Sequence, residues 1–329
     1  MSSPKQRNNR IREPRKGALA VTVIVALLVV FVALAAYFLY RPIQKTDVPM
    51  ADNIGTPSKA VSGQPYVHST SAVVIPPDTQ QKPARDQLPY PKADSVLPDE
   101  APISNNKPGS GRLAIIIDDM GSSMSEARSL AAIGVPLSFS VIPGLRKYRE
   151  VAQFAESSGI EVMVHIPMQS KGWPERRLEA NGLLLSMDDA ELRERVAGFL
   201  REIPGAVGAN NHMGSEFTEH ADKMRSVLEV LKNRNLFFVD SVTSTQTIGL
   251  RVARELGMKS GRRHVFLDNE QELAYILGQL GQAVKLAKKN GFAIAICHPH
   301  PETIATLAAA LPGLAGQGIA LVSASQLVR

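Results

Sequence analysis

The feature that most constrains this chain is an alternation over residues 111–329 between short apolar runs and longer stretches with helical periodicity. The runs are rich in Ile, Val, Leu, Phe and Ala, and they are apolar throughout rather than at every second position, which is typical of strands buried on both faces. Eight such runs span 113–117, 137–142, 162–166, 206–210, 236–240, 264–268, 292–297 and 319–323. Strands joined by helices favour a parallel sheet with helices packed on its faces.

Helical spacing of apolar residues recurs between these runs. The clearest helical segments span 124–133, 148–157, 188–201, 222–233 and 270–289. With seven or eight strand–helix units, the pattern predicts an α/β fold and favours a (β/α) barrel over an open doubly wound sheet. The first strand is not followed by a Gly-rich phosphate loop, which weakens a nucleotide-binding alternative.

A different pattern precedes this domain. Residues 17–40 are 24 consecutive residues without a charge, and as a helix they would be roughly 36 Å long, enough to cross a bilayer. Residues 1–16 carry six Lys or Arg against one Glu, so the positive-inside rule predicts a basic cytoplasmic tail and a domain on the other side of the membrane. The alternative is a cleaved signal peptide with a small-residue site at 33–35.

The region between this segment and the domain differs in composition from both. Residues 41–110 contain 12 of the 22 prolines, together with many Ser, Asp, Lys and Gln residues. Such a stretch cannot bury enough apolar surface to offset its ordering entropy, so we expect a Pro-rich disordered linker. The folded domain is therefore predicted to be 111–329.

The distribution of charge does not support a nucleic-acid-binding domain, and the cysteine content excludes two other classes of structure. The formal net charge is +6, but most of the excess lies in residues 1–16, so the folded domain is nearly neutral and does not predict a nucleic-acid partner. A single cysteine, Cys297, excludes an intramolecular disulfide framework and a Cys-rich zinc module.

Polar residues follow nearly every apolar run. In a parallel barrel these positions share one rim, the carboxyl-terminal face where active sites are built. Capping of the following helices is the alternative for any single Asp or Asn, but it does not explain the histidines. The rim residues are Asp118, Asp119, His165, Asn210, Asn211, His212, Asp240, Asp268, His298 and His300.

The residue types at this rim indicate metal-assisted chemistry. Two adjacent carboxylates, Asp118 and Asp119, could divide the work, one binding a cation and the other acting as a base. Alternatively, Asp119 only caps the next helix. His165 and His212 with Asp119 would form a set of two histidines and one carboxylate, which suits Zn²⁺ with one position open. His298 is a candidate acid or a further ligand.

Six motifs in order resemble the divergent polysaccharide deacetylase family, a membrane-anchored or secreted bacterial branch of the polysaccharide deacetylase group. They are IIIDDMG (115–121), SFSVIPG (138–144), VHIPMQ (164–169), GANNHMGSEFT (208–218), FFVDSVTS (237–244) and IAICHPHP (294–301). The resemblance implies a distorted (β/α) barrel, a divalent metal such as zinc, and hydrolysis of the acetamide of N-acetylated sugars.

Residue by residue, the resemblance implies that Asp118 is the base, that Asp119 and His165 are metal ligands, and that His298 is the general acid. The wider group has a second ligand His where Gln169 stands here, and we expect His212 to replace it. The group's Arg-containing motif after the fourth strand is replaced by NNHMGS (210–215). We also expect four glycan-contacting residues: Asn211, Asp240, His300 and Trp173. For Trp173, pinning of its own loop is an equal alternative.

The leading hypothesis is thus a metal-dependent carbohydrate deacetylase of the bacterial inner membrane, single-pass, with its domain in the periplasm and peptidoglycan or another N-acetylated glycan as substrate. The alternative is a catalytically silent glycan- or protein-binding module that kept the fold. A third possibility is another metallohydrolase on the same barrel, such as an amidase or phosphoesterase.

Overall fold

One sheet of nine parallel strands forms the centre of residues 109–329, which is the part of the chain that the computed structural model describes. The strands are β1 (Gly111–Met120), β2 (Ser138–Val141), β3 (Glu161–Met168), β4 (Gly208–Met213), β5 (Phe237–Asp240), β6 (Ser260–Arg262), β7 (Val265–Phe266), β8 (Phe292–Cys297) and β9 (Ile319–Leu321). The predicted parallel α/β architecture is confirmed.

Seven α-helices connect these strands within the same residues. They are α1 (Met124–Ala131), α2 (Tyr148–Ser157), α3 (Asp189–Glu202), α4 (Ala221–Asn233), α5 (Gly249–Glu255), α6 (Leu273–Asn290) and α7 (Pro301–Ala310). Side-chain caps explain where two of them begin: Ser123 accepts a hydrogen bond from the Glu126 N–H, and Asp188 accepts one from the Glu191 N–H.

The strand order is β6-β5-β4-β3-β2-β1-β8-β7, and β9 pairs with the first residues of β1. Within the described residues, no strand pairing joins β6 to β7, so the sheet curls into a half-barrel that does not close. Two residues span the gap: the Arg263 N–H bonds the Asp240 carbonyl, and the His264 N–H bonds the Ile294 carbonyl. The barrel prediction is therefore confirmed as a parallel half-barrel.

The two faces of the sheet pack into two separate cores. Ile115 and Ile117 of β1 belong to the larger core, under the helices, whereas Ala114 and Ile116 belong to a smaller core on the opposite face. Because both faces are buried, strands of this sheet are apolar at consecutive positions.

Residues 322–329 cover the end of the half-barrel where the strands begin. Ala324, Leu327 and Val328 join the smaller core. The backbones of Arg329 and Ser260 exchange two hydrogen bonds, and the Ala324 N–H bonds Ser138 Oγ. Since Ser138 and Ser260 are the first residues of β2 and β6, the opposite end of the barrel is left for the polar rim.

The structure differs locally from the predicted elements. The run 264–268 is a strand only at Val265–Phe266, and β6 has the sequence Ser-Gly-Arg, which carries no apolar signal. The helix predicted to begin at 270 begins at Leu273.

The predicted tail (1–16), anchor (17–40) and nearly all of the linker (41–110) lie outside the described residues. Among residues 109–329, no helix is both long enough and apolar enough to cross a bilayer.

The role of residues 322–329 can be tested by truncating one side chain. Leu327 is 3% exposed, so Leu327→Ala should lower the free energy of unfolding by about 2–4 kcal/mol in a denaturant titration. Leu273 is 57% exposed, so the matched control Leu273→Ala should change it by less than about 0.5 kcal/mol. Equal effects of the two substitutions would contradict a core role for Leu327.

Candidate active site

The two adjacent carboxylates at the end of β1 both reach the same histidine. Successive side chains of a regular strand point to opposite faces, but the backbone at Asp119 is left-handed, with φ 57°. As a result His165 Nε2 lies 3.5 Å from Asp118 Oδ2 and 3.3 Å from Asp119 Oδ1. The turn therefore places both carboxylates in one site.

Three of the predicted ligands come together at this point. Asp119 Oδ1, His165 Nε2 and His212 Nδ1 lie 2.9–3.3 Å from one another. Ligands held tetrahedrally around zinc at 2.0–2.1 Å would be separated by about 3.3–3.4 Å. Two of the three spacings are 3.3 Å, and the third, between Asp119 Oδ1 and His212 Nδ1, is shorter at 2.9 Å. In addition, Asp119 Oδ1 is shielded from solvent, and the groups that face it are the imidazole nitrogens of His165 and His212. The donor set suits a divalent cation.

The charges within this cluster reinforce one another. Burial would raise the pKa of Asp119, but the positive charges of His212 and His298 hold it well below its ordinary value. Burial would lower the pKa of His212, but the Asp119 carboxylate raises it to about 9. Asp119 is therefore ionised at neutral pH, as a metal ligand must be.

Asn210 holds the neighbouring groups in place. Its Oδ1 lies 2.7 Å from His165 Nδ1, and because an amide oxygen only accepts, Nδ1 carries a hydrogen and Nε2 is the nitrogen that faces the cluster. Its Nδ2 donates to Asp118 Oδ1 at 2.8 Å, and Ser140 Oγ donates to its Oδ1. Asn210 thus provides a hydrogen-bond donor to Asp118.

Asp118 is nearly inaccessible to solvent, with 3% exposure. Burial raises the pKa of its carboxyl above the ordinary value, although His165, His298 and Asn210 act in the opposite direction. A carboxylate with a raised pKa is a better proton acceptor than an ordinary one.

His298 lies near the second carboxylate oxygen of Asp119, with its Nε2 3.8 Å from Asp119 Oδ2. Its Nδ1 lies 3.2 Å from Asp268 Oδ1. Asp268 Oδ2 accepts hydrogen bonds from the backbone N–H of His298 and from the Thr303 hydroxyl. Burial would lower the pKa of His298, but the charges of Asp268 and Asp119 raise it to about 9. His298 is consequently an imidazolium at neutral pH.

Two of the predicted glycan contacts are occupied within the protein. Asp240 accepts hydrogen bonds from the Val242 and Leu250 N–H groups and from the Thr247 hydroxyl, which accounts for both carboxylate oxygens. The Asn211 amide donates to the Met213 carbonyl and accepts from the Ser241 N–H. Each is no more than 1% exposed, so these side chains order the rim loops, and their contact with a glycan stays a prediction.

The other two predicted contacts differ in exposure. His300 is buried, its Nε2 lies 3.2 Å from Gln271 Nε2, and it forms a second group of potential ligand atoms with Asp268 and His298. Trp173 is 37% exposed in the loop 169–187. The side-chain amide of Gln169 donates to Glu216 through Nε2 and accepts from the Leu185 N–H through Oε1, and these two bonds help to order the same loop.

Residues 115–328 match the model of the divergent polysaccharide deacetylase family. The uncharacterized protein YibQ of Escherichia coli strain K12 is 39% identical over 218 residues, covering 66% of this chain and 67% of that protein. An uncharacterized protein of Haemophilus influenzae is 37% identical over 218 residues, covering 66% and 77% respectively.

The chain belongs to the divergent polysaccharide deacetylase family. Its fold is shared with the crystal structure of an uncharacterized protein from Agrobacterium tumefaciens C58, with a TM-score of 0.64 and 24% identity. That alignment covers 69% of this chain and 92% of the other. The family assignment made from the six motifs is therefore confirmed.

The role of Asp268 can be tested in the metal-free full chain. Asp268→Asn keeps the shape of the side chain but removes its charge, so the pKa of His298 should fall from about 9 toward the ordinary value near 6.5. An NMR titration of the imidazole reports this pKa, and the exposed Asp222→Asn on α4 should leave it unchanged. An unaltered His298 titration in Asp268→Asn would contradict the assignment.

Proposed function

We propose that this chain is a metal-dependent carbohydrate deacetylase that removes acetyl groups from an N-acetylated envelope glycan such as peptidoglycan. The observation that carries the proposal is the convergence of Asp119, His165 and His212, with the buried Asp118 on one side and the imidazolium of His298 on the other. Membership of the divergent polysaccharide deacetylase family supports the same reaction class.

Asp119, His165 and His212 would hold the ion, which we propose is zinc. When bound, zinc supplies a Lewis acid that polarises the acetamide carbonyl. The chain's own residues would handle the protons. Asp118, oriented by Asn210, takes a proton from the attacking water through Oδ2. The water oxygen bonds to the carbonyl carbon, which gives a tetrahedral adduct.

His298 is the proposed proton donor for the second half of the reaction. As the C–N bond of the tetrahedral adduct breaks, His298 Nε2 donates its proton to the departing sugar amine, and acetate is released. The Asp268 carboxylate fixes the ring and keeps it protonated beforehand. The two roles agree with the local environments. Burial raises the pKa of Asp118, the proposed base, and nearby carboxylates raise the pKa of His298, the proposed acid.

One observation favours a second candidate, a catalytically silent glycan-binding module. Gln169 stands where the wider group has a ligand His, and its amide is committed to Glu216 and Leu185. If His212 does not replace that ligand, the fold could bind a glycan without turnover. Glycan binding without acetate release by the metal-loaded chain would favour this candidate.

The proposal predicts that the purified full chain binds about one zinc ion, the number that one three-residue site with an open position accommodates. Asp119→Ala, His165→Ala and His212→Ala should each lose this zinc in a metal analysis after dialysis. Asp118→Asn should retain it, while acetate release from N-acetylglucosamine oligomers falls by about 10²–10⁴-fold.

The exposed His220→Ala is the matched control for His212→Ala and should keep both zinc and activity. A wild-type chain that stays metal-free after zinc loading would overturn the proposal. So would zinc retention by all three ligand variants.

We also propose that residues 17–40 anchor the chain in the bacterial inner membrane, with the domain in the periplasm. The uncharged segment and the basic residues that precede it support this orientation. A fusion of alkaline phosphatase after Arg329 should be active and membrane-bound, and deletion of 17–40 should abolish that activity. An inactive fusion in the soluble cytoplasmic fraction would contradict the proposal.

A further inference from the structure

Glu179 lies beside the candidate ligands. It is an acidic residue, and no sequence pattern assigns a role to it. Its Oε2 lies 3.7 Å from His212 Nε2, the ring nitrogen opposite to the one that faces Asp119. The Oε2 atom is shielded from solvent and receives no hydrogen bond from any other described residue. A buried carboxylate oxygen without a donor is costly unless a partner completes it.

The loop 169–187 is tied to the sheet close to this residue. The Leu183 N–H bonds the Pro167 carbonyl, and the Gln169 N–H bonds the Leu183 carbonyl, so this part of the loop continues the pairing at the end of β3. Asn181 Nδ2 donates to the Pro143 carbonyl after β2, and the Gly182 N–H bonds the Glu179 carbonyl. These bonds fix the backbone that presents Glu179.

The chemistry of imidazole links this carboxylate to the proposed function. A neutral histidine that offers Nδ1 to a cation carries its hydrogen on Nε2, and that N–H needs an acceptor. His165 already shows such an arrangement with the nitrogens reversed: Nδ1 faces Asn210 Oδ1, and Nε2 faces the cluster. For His212 the acceptor in the corresponding place is Glu179.

We propose that Glu179 is a positioning residue for zinc binding, which accepts the His212 Nε2–H and holds the ring with Nδ1 toward the ion; this inference rests on the proposed function. The distance between Glu179 Oε2 and His212 Nε2 is about 0.5–0.8 Å longer than that of a hydrogen bond, so a small rotation of the side chain would bring the two atoms into hydrogen-bond range. Carboxylates that orient ligating histidines in this way fix the tautomer and strengthen the ligand.

The test is the zinc affinity of the full chain, measured by competition with a chromophoric chelator. Glu179→Ala should weaken zinc binding by about 10–100-fold. Glu179→Gln should weaken it less, because the amide oxygen still accepts the Nε2–H. Glu175→Gln changes an exposed acid of the same loop and should bind zinc as the wild type does.

A second readout separates positioning from a general effect on the loop. In the zinc-loaded wild type, ¹⁵N NMR of labelled imidazoles should show His212 protonated at Nε2, and Glu179→Ala should alter that signal. The free energy of unfolding of the metal-free variants should stay near that of the wild type.

The possible failures are distinguishable. Wild-type zinc affinity in Glu179→Ala would overturn this inference while leaving the proposed function intact. Equal losses in the Ala and Gln variants, together with lower stability of the metal-free protein, would overturn it in favour of a structural role for the loop. A wild-type chain that binds no zinc would overturn the proposed function and this inference with it.

Discussion

The parallel direction of the strands is the constraint on which the candidate site depends. Because β1, β3, β4 and β8 are parallel, their carboxyl-terminal ends lie at the same rim, and residues more than 170 positions apart in the chain become neighbours. The register between β1 and β8 pairs Ile117 with Cys297, so Asp118 and His298 follow at the same level. The register between β3 and β4 pairs His165 with Asn210, which allows the hydrogen bond between their side chains.

Of the four residues other than glycine with a positive φ in the described part of the chain, three lie at the carboxyl ends of strands. Asp119, Met213 and Val242 have positive φ angles of 57°, 51° and 51°, and they lie at or just beyond the ends of β1, β4 and β5. A positive φ is rare for residues other than glycine, and for a β-branched residue such as valine it is strained. Strain of this kind persists only where surrounding contacts enforce it, and it is typical of functional sites. Here the hydrogen bond from the Val242 N–H to Asp240 and the bond from Arg263 to the Val242 carbonyl provide such contacts.

The pKa shifts in the candidate site result from the close approach of its charged side chains. Two carboxylates and three imidazoles lie within a few ångströms of one another, and none of these side chains is more than 24% exposed, so their charges are less screened than on an open surface. The cationic histidines hold Asp119 ionised, whereas burial dominates at Asp118 and raises its pKa. Neighbouring aspartates in the sequence therefore have opposite shifts in pKa, which is the difference that a ligand and a base require.

Much of this arrangement is predictable from the sequence, because apolar runs locate the strands and the polar residues after them share a rim. Asp118, Asp119, His165, His212 and His298 are recognisable in that way. The sequence does not predict which of several similar residues takes which role. Asp240 and Asp268 both follow a strand, yet one orders its own loop and the other holds His298, and only the local loop geometry distinguishes them.

Asn210 and Glu179 illustrate why the remaining part of the site needs the structure. Asn210 is adjacent to Asn211 and identical in type, so the β3–β4 register alone determines that it is Asn210 that contacts Asp118 and His165. Glu179 lies in an irregular loop without periodicity, where no pattern relates its position to His212.

The central claim is that Asp119, His165 and His212 form one metal site. Anomalous diffraction at the zinc edge from crystals of the zinc-loaded chain tests it most directly. One strong peak is expected about 2 Å from Asp119 Oδ1, His165 Nε2 and His212 Nδ1. A peak held instead by Asp268 and His300, or no peak at this rim, would contradict it.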